Sequence, residues 1–197
     1  MKTIVLATGN SHKASEIKAL LGDLPLDIKT FRDYPALVMP PEDRPDFAGN
    51  ALLKAETVAG STGEIALADD SGLAVDALGG RPGVFSARFA GEGAGDEANN
   101  RLLLRELKDI PPEKRTAAFI CAIAVVVPGG KNYVVEESCR GKILESPRGE
   151  GGFGYDPLFY YEPAGATFAE MDPGEKNKVS HRGKALRRVR ELLAGLL

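Results

Sequence analysis

The chain predicts an α/β protein with a mixed central β-sheet flanked by helices, and two stretches carry that prediction. At the start, the β-branched and aliphatic run Thr3 to Ala7 breaks at Thr8-Gly9-Asn10 and gives way to apolar residues at helical spacing, a strand, tight turn and helix in succession. Further on, the longest apolar run, Thr116 to Val127, is joined through Pro128-Gly129-Gly130-Lys131 to Asn132 to Arg140, a second strand of alternating Val and polar residues. That pairing is a hairpin, so part of the sheet is antiparallel.

Bulk properties narrow the function. With 197 residues, 43% of them hydrophobic, the chain can bury the core of one domain spanning residues 1–197, or of one domain with a lobed shape. Lys plus Arg number 25 against 28 Asp plus Glu, a formal charge of −3. No basic field of the kind that nucleic-acid binding needs is present, whereas a compact anionic ligand held by a few local cations stays open. Cys121 and Cys139 are too far apart for a zinc-ligand pair and too few for a disulfide framework, so both read as plain buried thiols. The apolar part of Met1 to Ala7 is too short for a signal peptide, and no run reaches membrane-spanning length. A soluble cytoplasmic protein is expected.

The elements follow in order. After the first strand, Asn10 or Ser11 can cap a helix that buries Ala14, Ile17, Leu20 and Leu21 and stops at Gly22. The turn between them carries Thr8, Asn10 and Lys13. Free N–H groups at a helix start favour phosphate oxygens, although an ordinary capped helix explains the same residues. The Walker spacing is missing, so this is no P-loop. Asp27 to Thr30 reads as a second strand, and the proline-rich Phe31 to Pro45 as an irregular loop whose Glu42 and Asp43 are solvated charges when taken alone. From Asp46 the pattern is helical, with Phe47, Ala51, Ala55, Val58 and Ala59 on one face and Gly60 as the stop. Asn50 and Lys54, four apart, share a neighbouring face and by themselves read as exposed decoration.

Ile65-Ala66-Leu67 reads as a buried strand that ends at Ala68-Asp69-Asp70-Ser71-Gly72, at the rim of the sheet. Paired carboxylates there suit a metal or acid/base site, while Asp, Ser and Gly equally suit a turn. Leu73 to Leu78 resumes an extended pattern, and Gly79 to Gly83 is a dense turn. Arg88 is placed to meet a phosphate or a nearby acid. Asp96 can cap a helix with Ala98, Leu102, Leu103 and Leu107 inward, ended by Pro111-Pro112. Gly149 to Gly154 contains Gly-x-Gly-x-x-Gly, yet Pro147 precedes it and Tyr155-Asp156-Pro157 follows, so it is no dinucleotide fingerprint. It is a loop whose backbone can approach a flat ligand, with Phe153 to stack and Asp156 to accept. Pro157 to Tyr161 reads as a strand and Asp172 to Lys178 as a polar loop. Ser180 then caps a final amphipathic helix with Ala185, Leu186, Val189, Leu192, Leu193 and Leu196 inward. His181, Arg182 and Lys184 crowd its first turn, where cations oppose the helix dipole unless an anion or an acceptor-rich ligand offsets them.

Six of these segments, in order and across the whole chain, resemble the inosine triphosphate pyrophosphatase, or noncanonical purine NTP pyrophosphatase, family. They are Ala7-Thr8-Gly9-Asn10-Ser11-His12-Lys13, Phe47 to Ala55, Ala68 to Leu73, Pro82-Gly83-Val84-Phe85-Ser86-Ala87-Arg88, Gly151 to Pro157 and Ser180 to Ala185. The resemblance implies Mg²⁺-dependent hydrolysis of a nucleoside triphosphate to monophosphate and pyrophosphate, with preference for inosine and xanthosine bases. It further implies a two-lobed fold with the active site in the cleft between lobes, and a homodimer. By motif, Thr8, Gly9, Asn10, Ser11, His12 and Lys13 would hold phosphates, Asp70 would be the base and a metal ligand, and Ser71 would touch substrate. Phe153, Gly154, Tyr155, Asp156, Lys176, His181 and Arg182 would form the base pocket. Glu42 would match the second metal carboxylate, with Asp43 the alternative. Chemically, Lys13 and Lys54 suit the charge that builds on a leaving pyrophosphate. A pyrophosphatase for other nucleotides, such as modified pyrimidines, and a binding sensor without turnover are the competing expectations.

Overall fold

The computed structural model describes residues 2–196. Among these residues seven strands form one sheet in the order β2-β1-β3-β4-β5-β6-β7. Strand β1 (Lys2–Leu6) pairs in parallel with β2 (Leu26–Thr30) and with β3 (Ile65–Val75). Strands β4 (Thr116–Val126) and β5 (Asn132–Ile143) are joined by too few residues for a parallel crossover. Beyond them β6 (Phe159–Tyr161) is antiparallel to β5, and β7 (Ala166–Thr167) antiparallel to β6. The sheet is therefore mixed, as the hairpin predicts. Among the described residues five α-helices accompany it: α1 (Ser11–Leu21), α2 (Phe47–Thr62), α3 (Asp96–Glu106), α4 (Pro173–Val179) and α5 (His181–Leu196).

By contact density the chain divides into two compact units. Of the described residues, 2–70, 121–137 and 182–196 make the first, and 71–120 and 138–181 the second. Each has its own core. In the first, Ile4 and Leu6 of β1, Ile17 and Leu21 of α1, Leu67 of β3 and Leu186, Val189 and Leu193 of α5 pack together. In the second, Leu73, Leu103, Leu107, Phe119, Leu158, Phe159 and Phe168 do so. Among the described residues no helix is long and apolar enough to cross a membrane.

Several elements differ from expectation. Strand β3 does not end at Leu67: it runs through Asp69, Asp70, Ser71 and Gly72 to Val75, so the acid pair lies mid-strand and not in a rim turn. The extended backbone is kept because the carboxylates find partners on other elements instead of capping a local turn. Helix α2 passes Gly60 and stops at Gly63, whose φ of 70° supplies the left-handed cap and whose N–H reaches the Ala59 carbonyl. Asp172 to Lys178 is no loop but mostly α4, started by Pro173 in the first turn, where a missing N–H costs nothing. Gly95, not Asp96, is the N-cap of α3. Gly149 to Asp156 is free of helix and strand, in line with rejecting a dinucleotide motif.

Candidate active site

In the first unit the turn between β1 and α1 is built by its own side chains. Asn10 is the N-cap of α1, its Oδ1 accepting from the backbone N–H of His12 at 2.9 Å and of Lys13 at 3.2 Å, while Thr8 Oγ1 accepts from Asn10 N–H. Gly9, Asn10, Ser11 and His12 are exposed, and Thr8 and Lys13 half-buried. The turn therefore offers its outer edge to solvent, held in shape from below.

Alternation along β3 sends Asp69 and Asp70 to opposite faces of the sheet. Asp69 is buried among Lys13, whose ammonium pairs with Oδ1; Arg182, whose Nε donates to Oδ2 at 3.1 Å; and Cys121, whose Sγ lies 3.0 Å from Oδ2. Burial alone would raise this carboxyl, but the charges of Arg182 and Lys13 outweigh it and hold the group far below the usual carboxylate range. Burial and the Asp69 charge push the Cys121 thiol up, so it stays protonated and donates. Arg182 also donates from Nη1 to Glu16 Oε2 at 2.6 Å. The cationic first turn of α5 is thus offset by two carboxylates of the protein itself. Arg182, expected at a base, is committed here to Asp69 and Glu16.

Asp70 faces a different cation. Lys54, on α2, is buried and not the exposed decoration its spacing suggests. Its ammonium donates to Glu42 Oε1 at 2.6 Å and to the Asp69 carbonyl at 2.8 Å, and stands 3.6 Å from Asp70 Oδ1. Burial would lower the Lys54 pKa, yet Asp70 and Glu42 together raise it. For Asp70 burial wins: its carboxyl is lifted above the ordinary range, with Lys54 and Lys13 opposing and Glu42 adding to the rise. Its Oδ2 and Asn50 Nδ2 are both buried and make no hydrogen bond of ordinary geometry among the described residues, although Asn50 stands near enough to favour the charged carboxylate. Asn50 is buried too, and its Oδ1 accepts from the Arg44 N–H, which ties the Glu42 loop to α2. Asp43 points elsewhere, exposed and 3.7 Å from Arg44.

A hard cation fits these residues. Two carboxylates converge on one ammonium, and one of them keeps a buried oxygen that makes no hydrogen bond of ordinary geometry among the described residues. No group of three or more His, Cys, Asp or Glu placed to hold a metal occurs among the described residues. Mg²⁺ asks for no more than this, since it is commonly held by one or two carboxylates together with substrate phosphates.

The second unit holds the other predicted residues. Ser71 follows Asp70 at a half-buried position. In the glycine-rich loop Asp156 Oδ2 accepts from the Phe153 N–H at 2.9 Å and from the Lys176 ammonium at 2.6 Å. Lys176, on α4, is buried and lies 4.9 Å from the centre of the Phe153 ring and 5.6 Å from that of Phe168. Gly152 has a φ of 72°, and a Cβ there would fall 2.1 Å from Asp156 Oδ2, so only glycine lets the loop close on that carboxylate. His181 stacks on Phe119 with ring centres 4.8 Å apart. The Tyr155 hydroxyl donates to the Ser86 carbonyl at 2.8 Å, and burial, with Asp96 adding, raises its pKa. That hydroxyl anchors the loop to the protein.

Three participants escaped the sequence. Glu16 lies 166 residues from its partner Arg182, and Cys121 lies 52 from Asp69, separations that no local pattern reports. Asn50 had a signal in its spacing to Lys54, though nothing in it to tell a buried face from a wet one.

Comparison with known proteins adds a family and several close relatives. The model of the Ham1 family matches residues 4–192. A dITP/XTP pyrophosphatase of Geobacter sulfurreducens is 53% identical over 193 residues, covering 98% of this chain and 97% of that protein. One from Geobacillus kaustophilus is 52% identical over 191 residues, covering 97% and 94%. Among solved structures, a HAM1 protein from Coxiella burnetii superposes with a TM-score of 0.91 at 40% identity, covering 99% of this chain and all of that one. The Staphylococcus aureus Ham1 protein does so at 0.89 and 36%, covering both chains in full.

Proposed function

The chain belongs to the Ham1 family, and from that premise we propose that it hydrolyses noncanonical purine nucleoside triphosphates, ITP, dITP and XTP, to the monophosphate and pyrophosphate. The observation that carries the mechanism is the buried Asp70 carboxylate beside Lys54 and Glu42, with its pKa raised and one oxygen making no hydrogen bond of ordinary geometry among the described residues. A carboxyl tuned upward towards neutrality is a better general base, so Asp70 takes the proton of the water that attacks the α-phosphorus. The exposed turn Thr8, Gly9, Asn10, Ser11, His12 and Lys13 receives phosphates, Ser71 touches the substrate, and Lys13 and Lys54 offset the charge that develops on the leaving pyrophosphate. Asp70 and Glu42 would hold Mg²⁺, which when bound polarises phosphate oxygens.

Base recognition falls to Phe153, Gly154, Tyr155, Asp156, Lys176, His181 and Arg182. Phe153 supplies a stacking face, and Lys176 adds the donor character that suits the 6-oxo acceptor of hypoxanthine or xanthine. Adenine presents a 6-amino donor instead, and donor against donor leaves buried groups unpaired, a loss of about 10² or more in kcat/KM. The same reading makes the enzyme a cytoplasmic homodimer acting on free nucleotides.

The test is pyrophosphate release from a nucleotide panel by the wild type and Asp70→Asn. With ITP the variant should lose about 10² to 10⁴ in kcat while calorimetry still detects nucleotide binding. A kcat near that of the wild type would remove Asp70 from the chemistry.

A further inference from the structure

The first turn of α3, in the second unit, is occupied with holding loops. Asn99 Oδ1 accepts from the Ala90 N–H at 2.8 Å and its Nδ2 donates to the Ala87 carbonyl at 3.2 Å, which secures the segment after Ser86. Its neighbours grip the glycine-rich loop. Asp96 Oδ2 accepts from the Gly154 N–H at 2.6 Å, and Asn100 Nδ2 donates to the Gly154 carbonyl at 2.9 Å. Asp96 and Asn100 are four apart and so share one helix face, and between them they capture both backbone polar groups of a single glycine.

That glycine has a φ of 63° and lies outside any helix or strand, so no ladder fixes its peptides. What fixes them is α3. Asp96 is well placed at the helix start to cap its own free N–H groups, yet Gly95 is the cap, no side-chain cap bond forms, and the carboxylate turns to the loop. Phe153 precedes the gripped residue and Asp156 follows two later, the latter being the group on which Phe153 N–H and Lys176 converge.

We propose that Asp96 and Asn100 are positioning residues for base recognition: by clamping Gly154 they set the pose of Phe153 and of the Asp156–Lys176 pair. The proposal rests on the assignment of that loop to the base. Neither side chain touches the base, and the effect passes through one backbone position.

The experiment measures kcat and KM for ITP and ATP, with melting temperature, in full-length Asp96→Ala, Asp96→Asn, Asn100→Ala and Lys176→Met. Asp96→Ala and Asn100→Ala should each raise KM for ITP about 10-fold, the size of one lost charge-assisted or buried hydrogen bond, and narrow the ITP to ATP ratio of kcat/KM. The kcat for ITP should stay near wild type, while the melting temperature falls by no more than about 10 °C. Asp96→Asn keeps an acceptor oxygen and should recover most of the loss. An unchanged KM in both alanine variants, or a fall in kcat with KM constant, overturns the proposal, as does an Asp96→Asn variant as impaired as Asp96→Ala. Lys176→Met separates the two levels. If it raises KM and the α3 variants do not, the clamp alone fails; if it leaves KM unchanged, the assignment of the loop to the base fails with it.

Discussion

Asp69 is the more buried of the two adjacent acids. Its carboxylate joins Lys13 of α1, Arg182 of α5 and Cys121 of β4, and so sets where the Thr8 to Lys13 turn stands relative to β3. Removing the charge takes a carboxylate away from the buried Arg182 and the half-buried Lys13. Asp69→Asn should therefore cost about 3 to 5 kcal/mol, read as a lower urea midpoint with an unchanged slope. The pH dependence has a definite sign. The folded-state pKa lies below the ordinary value of 3.8, so the folded protein binds fewer protons at this group than the unfolded chain does. The stabilisation is complete above that ordinary value and is lost as pH falls below it. The gap between wild type and Asp69→Asn should be constant from pH 7 to about 5 and should shrink below about pH 4.

At the scale of elements, the glycine-rich loop shows how a turn without regular structure is made rigid. Its fold depends on contacts and not on backbone freedom alone, and two left-handed glycines separate these causes. Gly152 and Gly79 have φ values of 72° and 64°, but a Cβ at Gly152 would strike Asp156, whereas at Gly79 it would meet open space. Gly79→Ala should cost about 1 kcal/mol of stability and leave KM for ITP unchanged. Gly152→Ala carries the same strain and must also displace Asp156 from Lys176, so KM should rise about 10-fold or more. Equal KM values in the two variants would show that Asp156 is irrelevant to substrate. Strand β3 stays extended through Asp, Ser and Gly in succession, with the Asp69 carboxylate bonded to Lys13 and Arg182 on other elements.

For the molecule as a whole, a site made of two carboxylates around a lysine is poorly balanced without further positive charge, so metal and nucleotide should stabilise the native state. At 100 times Kd, such a ligand adds about 2.7 kcal/mol, or roughly 5 to 10 °C in Tm for a chain of this size. EDTA should end pyrophosphate release, and added Mg²⁺ should restore it. Glu42→Gln should need about 10-fold more Mg²⁺ for half-maximal rate, and Asp43→Asn should not, because only Glu42 shares the Lys54 ammonium with Asp70. A reversed order of those two variants would move the metal to the exposed side of the loop.

Much of this pyrophosphatase was legible in one dimension. The strand, turn and helix at the start, the hairpin, the rejected dinucleotide motif and the amphipathic last helix follow from periodicity and turn chemistry, which are properties of neighbouring residues. The grouping of Asp70, Lys54 and the Thr8 to Lys13 turn came from motif order. Tertiary structure alone decided that β3 continues through the acid pair, that Asn50 and Lys54 are buried, and that Arg182 is held by Asp69 and Glu16 over sequence separations of 113 and 166. The reason is physical. A side chain's charge state and partner depend on which distant elements pack against it, and burial, unlike periodicity, is set by the whole chain at once.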